Sequence, residues 1–399
     1  MSGALSGLKI LDFTALYPGP LATQWLADNG ADVLRVEAPD RPDLLRWMPP
    51  LDAGDGAGGE GKGAAWRAVN RNKRSIALNL KAPAAREVVR RLVAQYDIVV
   101  EQFRPGVLDR LGVGFAALQQ LQPGLIWCAI SSYGQTGPWR DRPGHDIDFL
   151  ATAGVAHHTG RPGHGPTPNA ALQGDFGGGT FGAVAGILAA VVHRQRTGEG
   201  QFVDVSMADG ALWMNLLSVS AALAAGHDAG PATEPLNGGG VYDYYATADG
   251  RYLAMGALEP KFWSLFCAAV GAPELELEPA SAPAEIAALK AKVAAILAQH
   301  PLAHWQAVFA DIDCCVEPVL TATEAVRHPQ FAARGMIVTV PDEHGGLHRQ
   351  VASPVQFSAT PAVYARTAVE TGHDTDAVLA AAGFDAPAIA ALRDAGAIS

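Results

Sequence analysis

A chain of 399 residues with 40 acidic and 29 basic side chains has a formal net charge of -11, which argues against a general binder of nucleic acid or anionic membrane. At 49% hydrophobic residues it can bury a sizeable core, and its length points to two domains or one domain with a large excursion. Cys128, Cys267, Cys314 and Cys315 form no C-x-x-C pair, so zinc and disulfide chemistry drop out and reduced cytosolic thiols are the plain reading.

The opening "MSGALSGLKILDF" lacks the basic patch and long apolar run of a secretory signal. From it emerges the first of five short apolar runs that read as buried strands: "LKILDF" (8–13), "DVLRVE" (32–37), "SIALNL" (75–80), "DIVVE" (97–101) and "GLIWCAIS" (124–131). Helical spacing lies between them in "PLATQWLADNGA", with Pro20 at its start and Gly30 at its stop, and in "PAAREVVRRLVAQY". This alternation predicts a Rossmann-like open parallel sheet of the α/β class.

The glycine-rich segment 51–63, "LDAGDGAGGEGKG", reads as a mobile surface loop. The apolar run "AVAGILAAVV" ends at His193 and is too short to span a bilayer. Loop composition returns at 226–240, taken as the crossing into a smaller α+β domain, where "YDYYATADGRYLAMGAL" predicts a hairpin turning at Asp249 and Gly250. The expected division is a large domain over 1–225, a small domain over 226–330, and a return to the large domain over 331–399. The terminal "GAIS" is not a peroxisomal S-K-L address, leaving the cytoplasm as the expectation.

One stretch raises the question of function, "GDFGGGTFGAVAGILAAVVHRQRTG" (174–198). Gly177, Gly179 and Gly182 match G-x-G-x-x-G, and Asp204 stands where a ribose-binding acid would follow. A dinucleotide loop must leave a buried strand, yet "TGRPGHGPTPNAALQGD" precedes it, a loop with three prolines. In a chain with 44 glycines such matches arise freely. Two readings of Asp175 stay open. It is an N-cap, or it is an acid beside a helix end whose free N–H groups stabilise an anion or enolate.

Several separated segments, "GQTGPWRDRPGHDIDFLATAGVAHHTGR", "LQGDFGGGT", "RTGEGQFVDVSMADG" and "ALEPKFW", resemble the class III CoA-transferase superfamily, nearest its α-methylacyl-CoA racemase branch. "LSGLKILDF", "PGPLATQWLADNGADVLRVE", "NRNKRSIALNLK" and "EQFRPGVLDRLGVG" look like the N-terminal CoA-binding part of that superfamily. The resemblance implies a class III CoA-transferase fold assembled as an interlocked homodimer, an acyl-CoA substrate, and no cofactor or metal beyond the CoA of the substrate. It places the acid/base residues at His145 and Asp175 and a supporting carboxylate at Glu259. Epimerising the carbon next to a thioester requires a proton carrier on each face, which a histidine and a carboxylate satisfy. Backbone N–H groups at Asp146 and at the glycines after Asp175 are expected to stabilise the enolate.

The phosphates of CoA call for cations. "NRNKRS" offers Arg71, Lys73 and Arg74, while "QFRPG" and "LDRLG" offer Arg104 and Arg110. Many members of the superfamily carry an arginine directly after the second strand; here that position is Ala38, with Arg41 as the substitute. Each residue has a plainer reading: a solvated basic face for the cations, and a strand end for Glu259. The superfamily also contains enzymes that move CoA between carboxylic acids with an aspartate nucleophile at the Asp175 position. That is the alternative activity, and it requires no histidine opposite the aspartate.

Overall fold

The computed structural model describes residues 3–52, 61–278 and 280–399. The expected loop at 51–63 falls largely outside them. The chain divides into two compact units, a larger one of Met1–Ala153, Asn169–Met214 and Gln330–Ser399 and a smaller one of Gly154–Pro168 and Asn215–Pro329.

In the larger unit the apolar runs become Lys9–Phe13 (β1), Asp32–Glu37 (β2), Arg74–Ala77 (β3), Ile98–Glu101 (β4) and Ile126–Ser131 (β5). All pair in parallel, and a sixth strand, Phe202–Ser206 (β6), joins the edge beside β5. The sequence reading did not place β6 in the sheet, because its outer residues Phe202 and Asp204 are exposed and only its last two are buried. Strand β3 is shorter than its apolar run; just past its end the Leu78 N–H still donates to Glu37 O at 2.8 Å, and Leu78 also bridges Ile398.

The strand order is β3-β2-β1-β4-β5-β6, so the direction of winding reverses between β1 and β4. Ligands of open α/β sheets bind outside the carboxyl ends of the strands at such a reversal. Here a hydrogen bond spans it, from the Gly19 N–H after β1 to Gln102 Oε1 after β4 at 3.1 Å.

Helix α1 (Pro18–Asp28) opens on two prolines, whose fixed φ suits a first turn, and Gly30 ends it at φ 104. Helix α2 (Ala85–Val93) buries Val88, Val89 and Leu92 beneath the sheet. Helix α3 (Asp146–Thr152) follows β5, and the π-helical segment Gln173–Phe181 runs into helix α4 (Gly182–Thr197). Together Gln173–Thr197 form 25 continuous helical residues, longer than the apolar run alone suggested. Its glycines pack closely on α1 and on helix α5 (Met207–Met214), as a core helix does.

The smaller unit has the expected hairpin, Asp243–Ala246 (β7) against Tyr252–Met255 (β8), turning through Gly250 at φ 72, and Val316–Pro318 (β9) completes a three-stranded sheet. Helices Pro260–Ala269 (α6), Pro283–Leu297 (α7) and Leu302–Phe309 (α8) cover it, with Phe266, Val293, Trp305 and Phe309 in the shared core.

Candidate active site

A chain with so many glycines in one segment needs a steric reason, and the segment's neighbours supply it. A Cβ on Gly178 would stand 2.7 Å from Met207 O, one on Gly179 would stand 2.9 Å from the Pro18 ring, and one on Gly177 would collide with the Met214 side chain. The glycines therefore let Gln173–Phe181 lie against α1 and α5. At these three positions the space that a side chain would fill is occupied by protein. Nor does this segment fit a dinucleotide loop: it follows an irregular stretch, β1 leads into "TALYPGP", and Asp204 accepts the Gln135 N–H at 2.9 Å.

Asp175 stands in the first turn of this segment, half-buried. Its own amide and that of Gly174 both donate to Asp146 Oδ1, at 3.0 and 2.7 Å. Gly174 is required for this approach, since a Cβ there would stand 3.1 Å from Asp146 Oδ1 and 3.1 Å from the Phe149 ring. Gly144 of the "GHD" motif has the same constraint, with Phe149 only 2.6 Å from where its Cβ would be. Phe149 is fully buried and meets Tyr133 edge-on, so the motif carrying His145 and the turn carrying Asp175 close on one ring.

His145 is the exposed N-cap of α3, and its backbone N–H is held by Asp148 Oδ2 at 2.9 Å. Burial is the main reason the Asp175 carboxyl is pushed up to about 6; the Asp146 charge raises it further, and His145 pulls the other way. His145 and Asp146 thus both act electrostatically on Asp175, whose raised carboxyl suits a group that exchanges protons with a substrate. Replacing Asp146 by asparagine keeps an acceptor for both amides and removes the charge. The titration midpoint of Asp175 is then expected to fall below about 6, read by carbon-13 NMR of the labelled carboxyl; an unmoved midpoint would leave burial as its whole cause.

The expected donors to an enolate need revision. The amides of Gly174 and Asp175 already bond to Asp146, the Phe176 N–H donates to Leu172 O at 2.8 Å, and the glycine amides beyond lie within the helical ladder. The Asp146 N–H, at the first position of α3, has no acceptor among the described residues. Asp146 itself acts through its side chain as the residue that positions Asp175.

Glu259 lies in the smaller unit as the exposed residue preceding α6. It opens a helix, whereas the plain sequence reading had it ending a strand. Its carbonyl accepts the amides of Phe262 and Trp263, both at 3.0 Å.

The six candidate phosphate ligands separate into two groups. Arg71 is buried and paired with Asp28 at 2.6 Å, and it also donates to Val351 O. Lys73 is fully buried and donates to Asp12, Pro20 O and Asn70 at 3.0, 2.9 and 3.1 Å, which uses all three ammonium protons. Arg74 is held by Asp32 and the Tyr96 hydroxyl. Arg71 and Lys73 are thereby used up inside the fold, while Arg74 is partly exposed and held at one edge of its guanidinium. Arg41, Arg104 and Arg110 are exposed and without a carboxylate partner among the described residues. Arg104 and Arg110 follow β4, at the reversal of the sheet.

Sequence reasoning passed over Arg140, although "GPWRDRPGHD" contains it. A Cβ on Gly106 would stand 3.3 Å from Arg110 Nη1 and 3.8 Å from Arg140 Nη2, so two guanidinium groups converge on this turn after β4. Nothing in the spacing of residues 110 and 140 announces the meeting; parallel pairing of β4 with β5 creates it.

The sequence pattern of CoA-transferase family III matches residues 5–375. The chain is 35% identical over 338 residues to the human alpha-methylacyl-CoA racemase, covering 84% of this chain and 83% of that protein. It is 31% identical over 428 aligned residues to the Escherichia coli formyl-CoA:oxalate CoA-transferase, covering 98% and 99%. A CAIB/BAIF family protein from Brucella suis superposes with a TM-score of 0.83 at 30% identity, covering 96% of this chain and all of that one.

Proposed function

This chain belongs to CoA-transferase family III, and from that premise we propose that it epimerises 2-methylacyl-CoA thioesters with His145 and Asp175 as the proton carriers on opposite faces of the α-carbon. The carrying observation is geometric: the turn of His145 and the half-buried turn of Asp175 both pack on Phe149, and the Asp146 carboxylate next to His145 holds the amides of Gly174 and Asp175. One carrier removes the α-proton from one face and the other returns a proton to the opposite face, through an enolate. Each positioned acid or base supplies roughly 10²- to 10⁴-fold.

The enolate oxygen needs a donor as well, and removing one such donor typically costs about 3 to 4 kcal/mol. We assign that role to the Asp146 N–H. The phosphates of CoA are assigned to Arg104, Arg110 and Arg140 around the Gly106 turn, with Arg41 beside the position where Ala38 stands. A homodimer with interlocked chains belongs to the same proposal, with Glu259 steadying the imidazolium in the assembled dimer. Exposed Leu212 and Trp213 on α5, and exposed Leu217 and Leu223 in the smaller unit, support a buried subunit interface.

The second reading, CoA transfer with Asp175 as nucleophile, is favoured by the transferases among the relatives. Incubating one epimer of a 2-methylacyl-CoA in deuterated water separates the two. Epimerisation is expected to place deuterium at the α-carbon and yield the opposite epimer with no acceptor acid present. Absence of α-exchange, together with transfer of CoA to an added carboxylate, would overturn the racemase proposal.

A further inference from the structure

Tyr17 stands at the carboxyl end of β1, at the reversal of the sheet where a ligand crevice forms. The residue before it, Leu16, has φ 63, a left-handed conformation that a bulky side chain holds only under restraint. The restraint is a buried acid: Leu16 N–H donates to Asp43 Oδ2 at 3.1 Å, and Asp43 is itself paired with Arg35 at 2.5 Å.

On its other side the Tyr17 turn is fastened to the segment that carries Asp175. The Thr180 hydroxyl donates to Pro18 O at 2.8 Å, and Gly179 packs on the Pro18 ring. The Tyr17 ring meets the Phe176 ring edge-on with centroids 6.0 Å apart, and its hydroxyl donates to Met48 Sδ at 3.4 Å. Phe176 directly follows Asp175, and Met214 fills the space over Gly177. Tyr17 and Met48 therefore extend, through the Phe176 ring, an apolar surface that begins one residue after Asp175, with Met214 packed over Gly177 two residues on. None of the four is charged, so these side chains offer a free carboxylate no ionic partner and suit a hydrocarbon acyl chain.

We propose that Tyr17 is a specificity-determining residue that walls this apolar side, admitting compact 2-methylacyl chains and excluding bulky, ring-bearing ones. The inference rests on Asp175 acting at the α-carbon of an acyl-CoA. A ring held by a strained turn, an aromatic edge and a thioether contact cannot rotate aside cheaply. It therefore discriminates by steric exclusion, where size differences of one or a few methylenes are worth roughly 10- to 200-fold.

The test compares kcat/KM for α-deuterium exchange with 2-methylbutanoyl-CoA and with a 2-arylpropanoyl-CoA. Wild type is expected to prefer the compact thioester. Tyr17→Ala is expected to raise the bulky-to-compact ratio about tenfold or more, whereas Tyr17→Phe, which keeps the ring, keeps the wild-type ratio. An unchanged ratio in Tyr17→Ala, or an equal loss with both thioesters, overturns the proposal; if that variant does not fold, Tyr17→Leu is read in the same way. If wild type exchanges neither thioester, the racemase reading fails separately. The size preference is then read from Kd values for the same two thioesters by isothermal titration calorimetry, where no change of the Kd ratio in the variant overturns it.

Discussion

His145→Ala is expected to lower epimerisation by about 10²- to 10⁴-fold, the contribution of one positioned proton carrier. The variant retains Asp175, so it is expected to exchange the α-proton of one epimer with deuterated water without inverting it. Asp175→Asn should show the reciprocal pattern, with exchange of the opposite epimer only. Proton NMR of each pure epimer in deuterated water reads both outcomes. A transferase behaves differently: His145→Ala keeps moving CoA to an acceptor acid, while Asp175→Asn, lacking its nucleophile, stops. Loss of all exchange with both epimers in each single variant would contradict two independent carriers.

Lys73→Met is expected to destabilise the protein by about 3 to 5 kcal/mol, the range for removing one partner of a buried ion pair. Asp12 is fully buried, and after the substitution its charge keeps the Thr14 and Thr23 hydroxyls at 2.5 Å, the Thr14 amide and the field of Arg35, but no direct ion pair. Burial has already pushed the Lys73 ammonium down to about 8, with Asp12 opposing that fall. The pair is therefore costly to bury and more costly to break. Urea unfolding followed by circular dichroism should give a lower midpoint with an unchanged slope. The double variant Asp12→Asn, Lys73→Met should recover much of the loss, because no lone charge remains. A Lys73→Met protein as stable as wild type, with weaker CoA binding instead, would return Lys73 to the phosphate site.

The sheet was legible because its information is local. The runs "KILDF", "DVLRVE" and "IWCAIS" are apolar over the length of a strand, and helical spacing lies between them. The hairpin at Asp249 and Gly250 was equally plain, since a turn with φ 72 demands glycine. Strand β6 was less legible, because an edge strand exposes Phe202 and Asp204 and breaks the buried pattern.

The candidate site was legible in its residue types and less so in its connections. "GHD" and "GDFGGG" name His145 and Asp175, and a proton-transfer site needs such groups. That Asp146 ties down the turn of Asp175 is a contact across 29 residues, with no signature in spacing. The cations illustrate the same limit. Arg71, Lys73 and Arg74 form the densest basic cluster in the first third of the chain, yet each meets a buried or half-buried acid once the strands pair. Arg110 and Arg140, apart in sequence, meet at Gly106 because β4 and β5 lie side by side.

By itself the sequence determined the alternation of strands and helices and the poor fit of the Gly177–Gly182 stretch to a dinucleotide loop, and its resemblance to the superfamily pointed to His145 and Asp175 as the proposed proton carriers. The first two follow from local patterning, which every stretch carries before folding, and the third from the resemblance. Only the tertiary structure decided which cations remain free, what the glycines beside Asp175 accommodate, and how burial raises the Asp175 carboxyl to about 6. Each of these depends on burial and on partners distant in the chain, and burial is a property of packing that no stretch of sequence possesses alone.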